Sequence, residues 1–275
     1  MILTTVRTNI YRINLREGII QKIDDTVAVE APIKIIVNGK RIVTLSSLPK
    51  QLKELGIGWL LSQAIIMSID EIVNVKVRGN SVSIKCSSDV ESRLRFARIS
   101  DPIDSSCTST PEDFALLIDR LKKPHVNSGY RIEAQQLIGF VRVLNRRAIL
   151  FSHTGGTHSA AIFCKKKLVA FAEDVGRHNA VDKVVGAAAM KKVDFAECLL
   201  ASSGRQPANM VLKAARVGIP VVASIAGPLS SGIDAAKKTG VTLVCFVRDQ
   251  RMNIYSYHER IQISSMHASK RGRRS

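Results

Sequence analysis

Nowhere in this 275-residue chain do two cysteines stand in a C-x-x-C spacing, and the five that occur, Cys86, Cys107, Cys164, Cys198 and Cys245, are an odd number. That absence argues against a disulfide scaffold. Three of the five sit inside apolar, strand-like runs, as buried reduced cysteines do. Aromatic residues are scarce, at 5%. No run approaches the roughly 18 consecutive apolar residues of a membrane span, and the opening stretch MILTTVRTNIYRINLREG is interrupted by charge too early for a secretory signal. No membrane partner is expected, and the expected compartment is cytoplasmic. Acidic residues are also in deficit, 23 against 41 lysines and arginines, for a formal net charge of +18. Such a surplus attracts polyanions, whether nucleic acid, an acidic protein or a phosphate-rich cofactor, and does not choose among them. Part of it is local, in the tail Lys270-Arg271-Gly272-Arg273-Arg274.

What is present reads as a folded α/β chain. Over Ile33 to Leu45, two apolar runs flank Asn38-Gly39, a dipeptide that supplies the positive φ angles of a tight hairpin turn. Ser47 as an N-cap and Pro49 in the first turn predict a helix through LKELGIGWLLSQAII, and a second hairpin follows around Arg78-Gly79-Asn80. Residues 1–102 thus form a strand-rich α+β region with one covering helix. The Ser-, Asp- and Pro-rich stretch that follows contains a flexible cysteine loop, 103–110, before an α/β domain over 111–275. That domain opens on a helix begun by Thr110-Pro111-Glu112-Asp113 and continues with a helix near 133–144. Next come a strand at AILFS, a hairpin around Lys165–Lys167 and a helix from Asn179. Strands CLLAS, IPVVASI and TLVCFV then alternate with helices, predicting a largely parallel sheet buried between helices.

In such sheets ligands gather beyond the strand C-termini, and the polar, glycine-bearing clusters fall there. Gly155 and Gly156 precede His158; Gly176, Arg177 and His178 follow AFAED; Ser203, Gly204 and Arg205 follow CLLAS; Phe246 to Arg251 ends the last strong strand. Arg177 and Arg205 each stand beside a predicted helix N-terminus, where free N–H groups and the dipole favour an anion. His158 and His178 lack compact zinc spacing and no C-x-x-C completes a set, so no metal held directly by the protein is expected. His178 and Asp182, four apart, are open to a structural or a catalytic pairing. Cys107 lies in a polar loop three residues before Thr110, near a helix start that favours the thiolate, and is either an exposed nucleophile or incidental.

Together these segments resemble the FdhD family of formate dehydrogenase accessory sulfurtransferase proteins. The resemblance runs from about Glu30 to Tyr255 through EAPIKIIVNG, LGIGWLL, SSC, TGGTHSAAIF, AFAEDVGRHNAVDKVVG, SGR, KAARVGIPVVAS and FVRDQRMNIY in order. It implies a C-terminal cytidine deaminase-like α/β domain without the zinc site, in a cytoplasmic protein that is commonly a homodimer. It further implies a sulfur carrier that accepts persulfide sulfur from a cysteine desulfurase. The sulfur passes to the molybdenum bis(molybdopterin guanine dinucleotide) cofactor before insertion into a molybdenum-dependent formate dehydrogenase, and nucleic acid is not the expected partner. By position, Cys107 would carry the persulfide. Phe246, Val247, Arg248, Asp249, Gln250 and Arg251 would bind the cofactor, with Gly155, Gly156, His158, Arg177, His178 and Arg205 as further candidates for its wall. The second cysteine of the family's C-x-x-C loop is replaced by Thr110, so a single thiol would have to serve. A non-enzymatic cofactor chaperone or guanine nucleotide-binding protein without sulfur transfer is the alternative.

Overall fold

The computed structural model describes residues 3–87, 90, 93 and 125–263; Cys107, Thr110, the helix expected from Pro111 and the basic tail lie outside them. The chain begins with an antiparallel ribbon of β1 (Thr5–Asn14) and β2 (Ile19–Ala28). The two predicted hairpins follow, β3 (Ala31–Val37) with β4 (Lys40–Ser47) and β5 (Ile72–Arg78) with β6 (Ser81–Cys86). Asn38 and Gly39 supply φ of 48° and 80° at the first turn. Parallel pairing of β3 with β6 joins the hairpins into one sheet of order β4-β3-β6-β5.

Between them runs α1 (Leu52–Ser62). It does not start from Ser47. The Ser47 hydroxyl instead donates to the buried carboxylate of Asp174 at 2.5 Å, and the helix begins after Gln51, whose φ is 55°. A buried carboxylate is the stronger claimant on that hydroxyl. Apolar or small residues cover most of α1, which is buried on nearly every side and leaves Lys53 exposed near its start. One side lies on the four-stranded sheet, where Gly56 faces Val82 and Ile84, and another meets the second half of the chain through Gly58.

That half is built on a six-stranded sheet of order β13-β12-β11-β10-β8-β9. Its strands are β8 (His158–Cys164), β9 (Lys167–Asp174), β10 (Cys198–Ser202), β11 (Val221–Ser224), β12 (Thr242–Arg248) and β13 (Arg251–Ile254). A two-residue strand, β7 (Ile132–Glu133), pairs in parallel with β14 (Ile261–Gln262) outside it. Within this sheet β10, β11 and β12 run parallel to one another; β8 lies antiparallel to both β9 and β10, and β13 antiparallel to β12. The sheet is therefore mixed rather than largely parallel. The turn at Lys165 and Lys166, with φ of 47° and 68°, is too tight for anything but reversal of the chain.

Alternation along the strands divides the core between the two faces. Ala161, Phe163, Leu199, Ala201, Val221, Ala223 and Val244 pack beneath α2 (Ala134–Arg147). On the other face, Ile162, Leu200, Val222 and Leu243 meet α4 (Arg177–Met190), α5 (Ala208–Val217) and α6 (Ser230–Thr239). α1 packs on α4 from outside, so residues of the N-terminal sheet and of this layer share one continuous core.

Two other expectations change. The AILFS segment is not a strand but part of a short helix, α3 (Ile149–Thr154). Buried Glu173 on β9 explains it, because its carboxylate accepts the Leu150 and Phe151 N–H groups at 3.1 and 2.8 Å and satisfies a first helical turn. The cysteines are not all reduced: the antiparallel register sets Cys164 opposite Cys198, their Cα atoms 4.2 Å apart, and the two form a disulfide. They are 34 residues apart in sequence, so only the strand register reveals the pair. Cys86 and Cys245 are free and buried, and burial pushes their thiols up to about 11 and about 12.

Candidate functional site

The C-terminal ends of β9, β10, β11 and β12 and the N-terminal end of β8 share one edge of the mixed sheet. Each polar cluster found in the sequence except the Cys107 loop leaves the sheet there. The anchor is Asp174, fully buried at the end of β9. Its carboxylate pairs with Lys183 at 2.5 Å and accepts from Ser47 Oγ, Leu48 N, Gly176 N and Asn179 Nδ2. A carboxylate so fully engaged is a structural post rather than a base. It fixes Gly176 and hence the start of α4.

α4 begins without a side-chain cap, which leaves its first N–H groups for a ligand. Arg177, the first residue of the helix, lays its side chain against Gly204; a Cβ there would meet Arg177 Cβ at 2.9 Å and Cδ at 3.0 Å. The Arg177 Nε is buried and has no hydrogen-bond partner. His158 opens β8 with Nδ1 3.3 Å from Ser203 Oγ, which also accepts the Ser159 N–H at 2.9 Å. Burial lowers the His158 pKa, and Arg177 and Arg205 lower it further against the pull of Asp174. His178 is held at about 3 by burial, with Lys213, Arg177 and His158 adding to the effect. Four predicted residues, His158, Arg177, His178 and Arg205, thus act on one another electrostatically, and both imidazoles are kept neutral at physiological pH. Asp182 does not pair with His178; its carboxylate holds Lys213 at 2.7 and 2.8 Å.

From Gly204 the rim continues across the sheet. The Gly204 carbonyl accepts from Gln206 Nε2 and Ser224 Oγ, each at 2.8 Å, and the Gln206 N–H donates to the Gly227 carbonyl at 3.1 Å. Gly227 in turn carries the ring of Phe246, whose Cζ would lie 2.7 Å from any Cβ placed there. Phe246 has a φ of 53°, at a register shift in the β12–β13 pairing, and Arg248 places its guanidinium carbon 5.8 Å from the ring centroid. Bulges of this kind re-aim side chains at the edges of sheets. Behind them α2 steadies the turn: Arg142 donates to the Asp249 carbonyl at 3.0 Å and Gln135 to the Gln250 side chain at 3.4 Å. Arg248 and Arg251 pair across the hairpin, and the Val247 side chain is buried in the core.

The remaining candidates sit apart from this line. Gly155 caps α3 with a φ of 63°, and Gly156 faces Ala28 of β2. Cys107 lies outside the described residues. Nothing in the sequence singled out Gln206 or Gly227, since an amide and a glycine acquire meaning only once two strand-end loops are seen side by side.

The low pKa of His178 has a measurable effect. Its folded value, about 3, is below the ordinary 6.5, so between these values the unfolded chain binds the extra proton. Stability from this group is complete above the ordinary value and is lost as pH falls towards the folded one. Thermal midpoints measured from pH 7 to pH 4 should fall less steeply for His178→Gln than for the unaltered protein.

Fold and rim together define an α/β protein whose strand-end loops bring cations, an uncapped helix start and closely packed glycines to one edge of its sheet. The pattern that defines the FdhD/NarQ family matches residues 28–262, and the chain belongs to that family. It is similar to the sulfur carrier protein FdhD of Methanothermobacter thermautotrophicus, 35% identical over 88% of this chain and 93% of the relative. The protein of the same name from Thermoplasma acidophilum is 36% identical over 90% of each chain. The crystal structure of a Desulfotalea psychrophila protein assigned as a formate dehydrogenase accessory protein superposes with a TM-score of 0.76 at 28% identity. That match covers 94% of this chain and all of the other. Among the described residues no helix is long and apolar enough to cross a membrane.

Proposed function

We infer that this chain is a sulfur carrier serving a molybdenum-dependent formate dehydrogenase, with Cys107 as carrier and the strand-end rim as the seat of the client's molybdenum bis(molybdopterin guanine dinucleotide) cofactor. The observation that carries this reading is similarity to relatives named as sulfur carrier proteins along nearly the whole chain. The rim supports it chemically. A cofactor with two pyrophosphates and two guanines needs cations, helix N-termini and close backbone approach. Arg177 with its unpartnered Nε, the uncapped α4, and Gly204 and Gly227 meet those needs. The order β9-β8-β10-β11-β12, with β8 reversed, supports assigning the domain to the cytidine deaminase-like class.

In the transfer step the Cys107 thiolate attacks the terminal sulfur of a cysteine desulfurase persulfide. The donor S–S bond breaks, the donor cysteine leaves as thiolate, and Cys107 becomes the persulfide. Incubation with a cysteine desulfurase and cysteine labelled with sulfur-35 should label the unaltered protein and not Cys107→Ala. Equal labelling of both would remove Cys107 from the mechanism. A second reading, a cofactor chaperone without sulfur transfer, is favoured by Thr110 at the position of the family's second cysteine. Under it, the purified protein would retain guanine nucleotide while mass spectrometry found no added sulfur on Cys107.

A further inference from the structure

The two faces of the sheet β4-β3-β6-β5 differ sharply in charge. Alternation sends Ile33, Ile35, Val82 and Ile84 into the core and leaves Lys34, Lys76, Arg78 and Lys85 exposed on the other side, with exposed Arg41 of β4 opposite Ile36. None of the four strands contains an aspartate or a glutamate. The carboxylates that border them are engaged: Glu30 accepts from the Ser46 hydroxyl at 2.6 Å, and Glu71 holds Arg93 at 2.6 Å. Among the described residues, no ion pair involves Lys34, Arg41, Lys76, Arg78 or Lys85. The register also keeps these cations from facing one another. Lys34 lies between Thr44 and Ser81, Lys76 is opposite Ser83, and Lys85 is opposite Asn74, so each cation has a neutral cross-strand neighbour. A face kept clear of carboxylates suits a negatively charged partner.

Its chemistry favours a protein over a nucleic acid. These strands carry no aromatic side chain, so the face lacks the platform on which single-stranded bases stack. A face four strands wide, at about 4.8 Å per strand, is also too broad to enter a major groove about 12 Å wide. One end of the face abuts the strand-end rim: the Ser46 carbonyl accepts from Asn179 Nδ2 at 2.7 Å, and the Ser47 hydroxyl donates to Asp174. A protein laid across the sheet therefore reaches that rim. We propose that the outer face of this sheet is the docking surface for an acidic face of the client dehydrogenase, which it holds beside the rim. This rests on the sulfur-carrier reading above and adds to it the surface that the client recognises.

The test is stopped-flow association of the full-length protein with the formate dehydrogenase of the same organism, purified without its cofactor. Between about 50 and about 300 mM salt the association rate should fall about tenfold. Replacing Lys34, Lys76 and Lys85 together by threonine, a strand-forming residue, at these exposed positions should slow association about tenfold at the lower salt and flatten its salt dependence. A control removes the same charge elsewhere, with Arg146, Lys237 and Lys238 at exposed helix ends replaced by glutamine, and should stay within about twofold of the unaltered protein. If both triple variants slow association equally, or neither does, the face is not the docking surface and the client reading still stands. If the unaltered protein does not associate with the dehydrogenase, the proposal falls together with that reading. Single-stranded and duplex oligonucleotides form a further arm. Binding to them that the threonine variant loses, with its dehydrogenase association unchanged, would make the face a nucleic-acid surface and overturn the proposal. Sulfur-35 labelling by the desulfurase should stay within about twofold in the threonine variant. A loss of labelling as large as the loss of association would assign the face to the sulfur donor and overturn the proposal as well.

Discussion

Gly58→Ala is expected to cost about 4 kcal/mol or more, enough to abolish the cooperative unfolding transition of a marginally stable domain. The added methyl group would fall on the carbonyl oxygen of Asp182 and within 2.7 Å of the Gly186 nitrogen. Both are backbone atoms of α4, so no side-chain rotation relieves the clash and the two helices must part. The contact is reciprocal: a Cβ on Gly186 would fall on the Glu54 carbonyl oxygen of α1. Overpacking against mobile side chains costs about 1–3 kcal/mol, and backbone against backbone costs more. Parting α1 from α4 would also open the core shared by the two halves and shift Lys183, which donates to the Leu48 carbonyl while paired with Asp174. Gly139 in α2 is the control, since a Cβ there meets nothing within 4 Å. Gly139→Ala should stabilise by about 0.5–1 kcal/mol, the ordinary helix-propensity gain. Urea denaturation of the three proteins, followed by circular dichroism, separates the close crossing from any general intolerance of alanine.

The contrast between these glycines shows what could be read in the sequence and what could not. Hairpins announced themselves through Asn38-Gly39 and Gly79, because the turn geometry is local and only certain residues supply its φ angles. CLLAS and the strands after it were legible as continuous apolar runs bounded by turns. What stayed hidden depends on residues far apart in the chain. Gly58 and Gly186 look like two unremarkable helix glycines until α1 and α4 cross. The helix at 149–154 depends on a carboxylate from another strand, and Cys164 meets Cys198 only through the antiparallel register of β8 and β10. The candidate site divides the same way. His158, Arg177, His178 and Arg205 stood out as cationic or titratable groups beside glycines. Gln206 and Gly227 carry no such sign, and their place in the rim follows from the hydrogen bond that joins two loops distant in sequence.

The buried pair of Asp182 and Lys213 gives the second large effect, and its sign depends on which partners are removed. Both side chains are nearly inaccessible, at 1% and 3% exposure, and both carboxylate oxygens accept from the ammonium. Burial raises the pKa of Asp182 and lowers that of Lys213, while each charge opposes the shift of the other. Asp182→Ala strands an ammonium in the core and should cost about 3–5 kcal/mol, as should Lys213→Ala in reverse. The double replacement Asp182→Leu with Lys213→Met removes both desolvation penalties and should lie within about 2 kcal/mol of the unaltered protein, on either side. A double-mutant cycle in urea built from Asp182→Leu, Lys213→Met and their combination measures the coupling directly. The rim supplies an independent readout. Lys213 is, after burial itself, the foremost influence holding the His178 pKa at about 3. With Lys213 replaced by methionine that charge is gone, so the His178 pKa should rise towards its ordinary value. The acid-side loss of stability should then begin to level off at higher pH than in the unaltered protein. If the coupling energy is large but the pH profile does not move, the pair supports the fold without influencing the rim. If both change together, the ion pair between α4 and α5 also sets the charge of the imidazole at the strand-end rim.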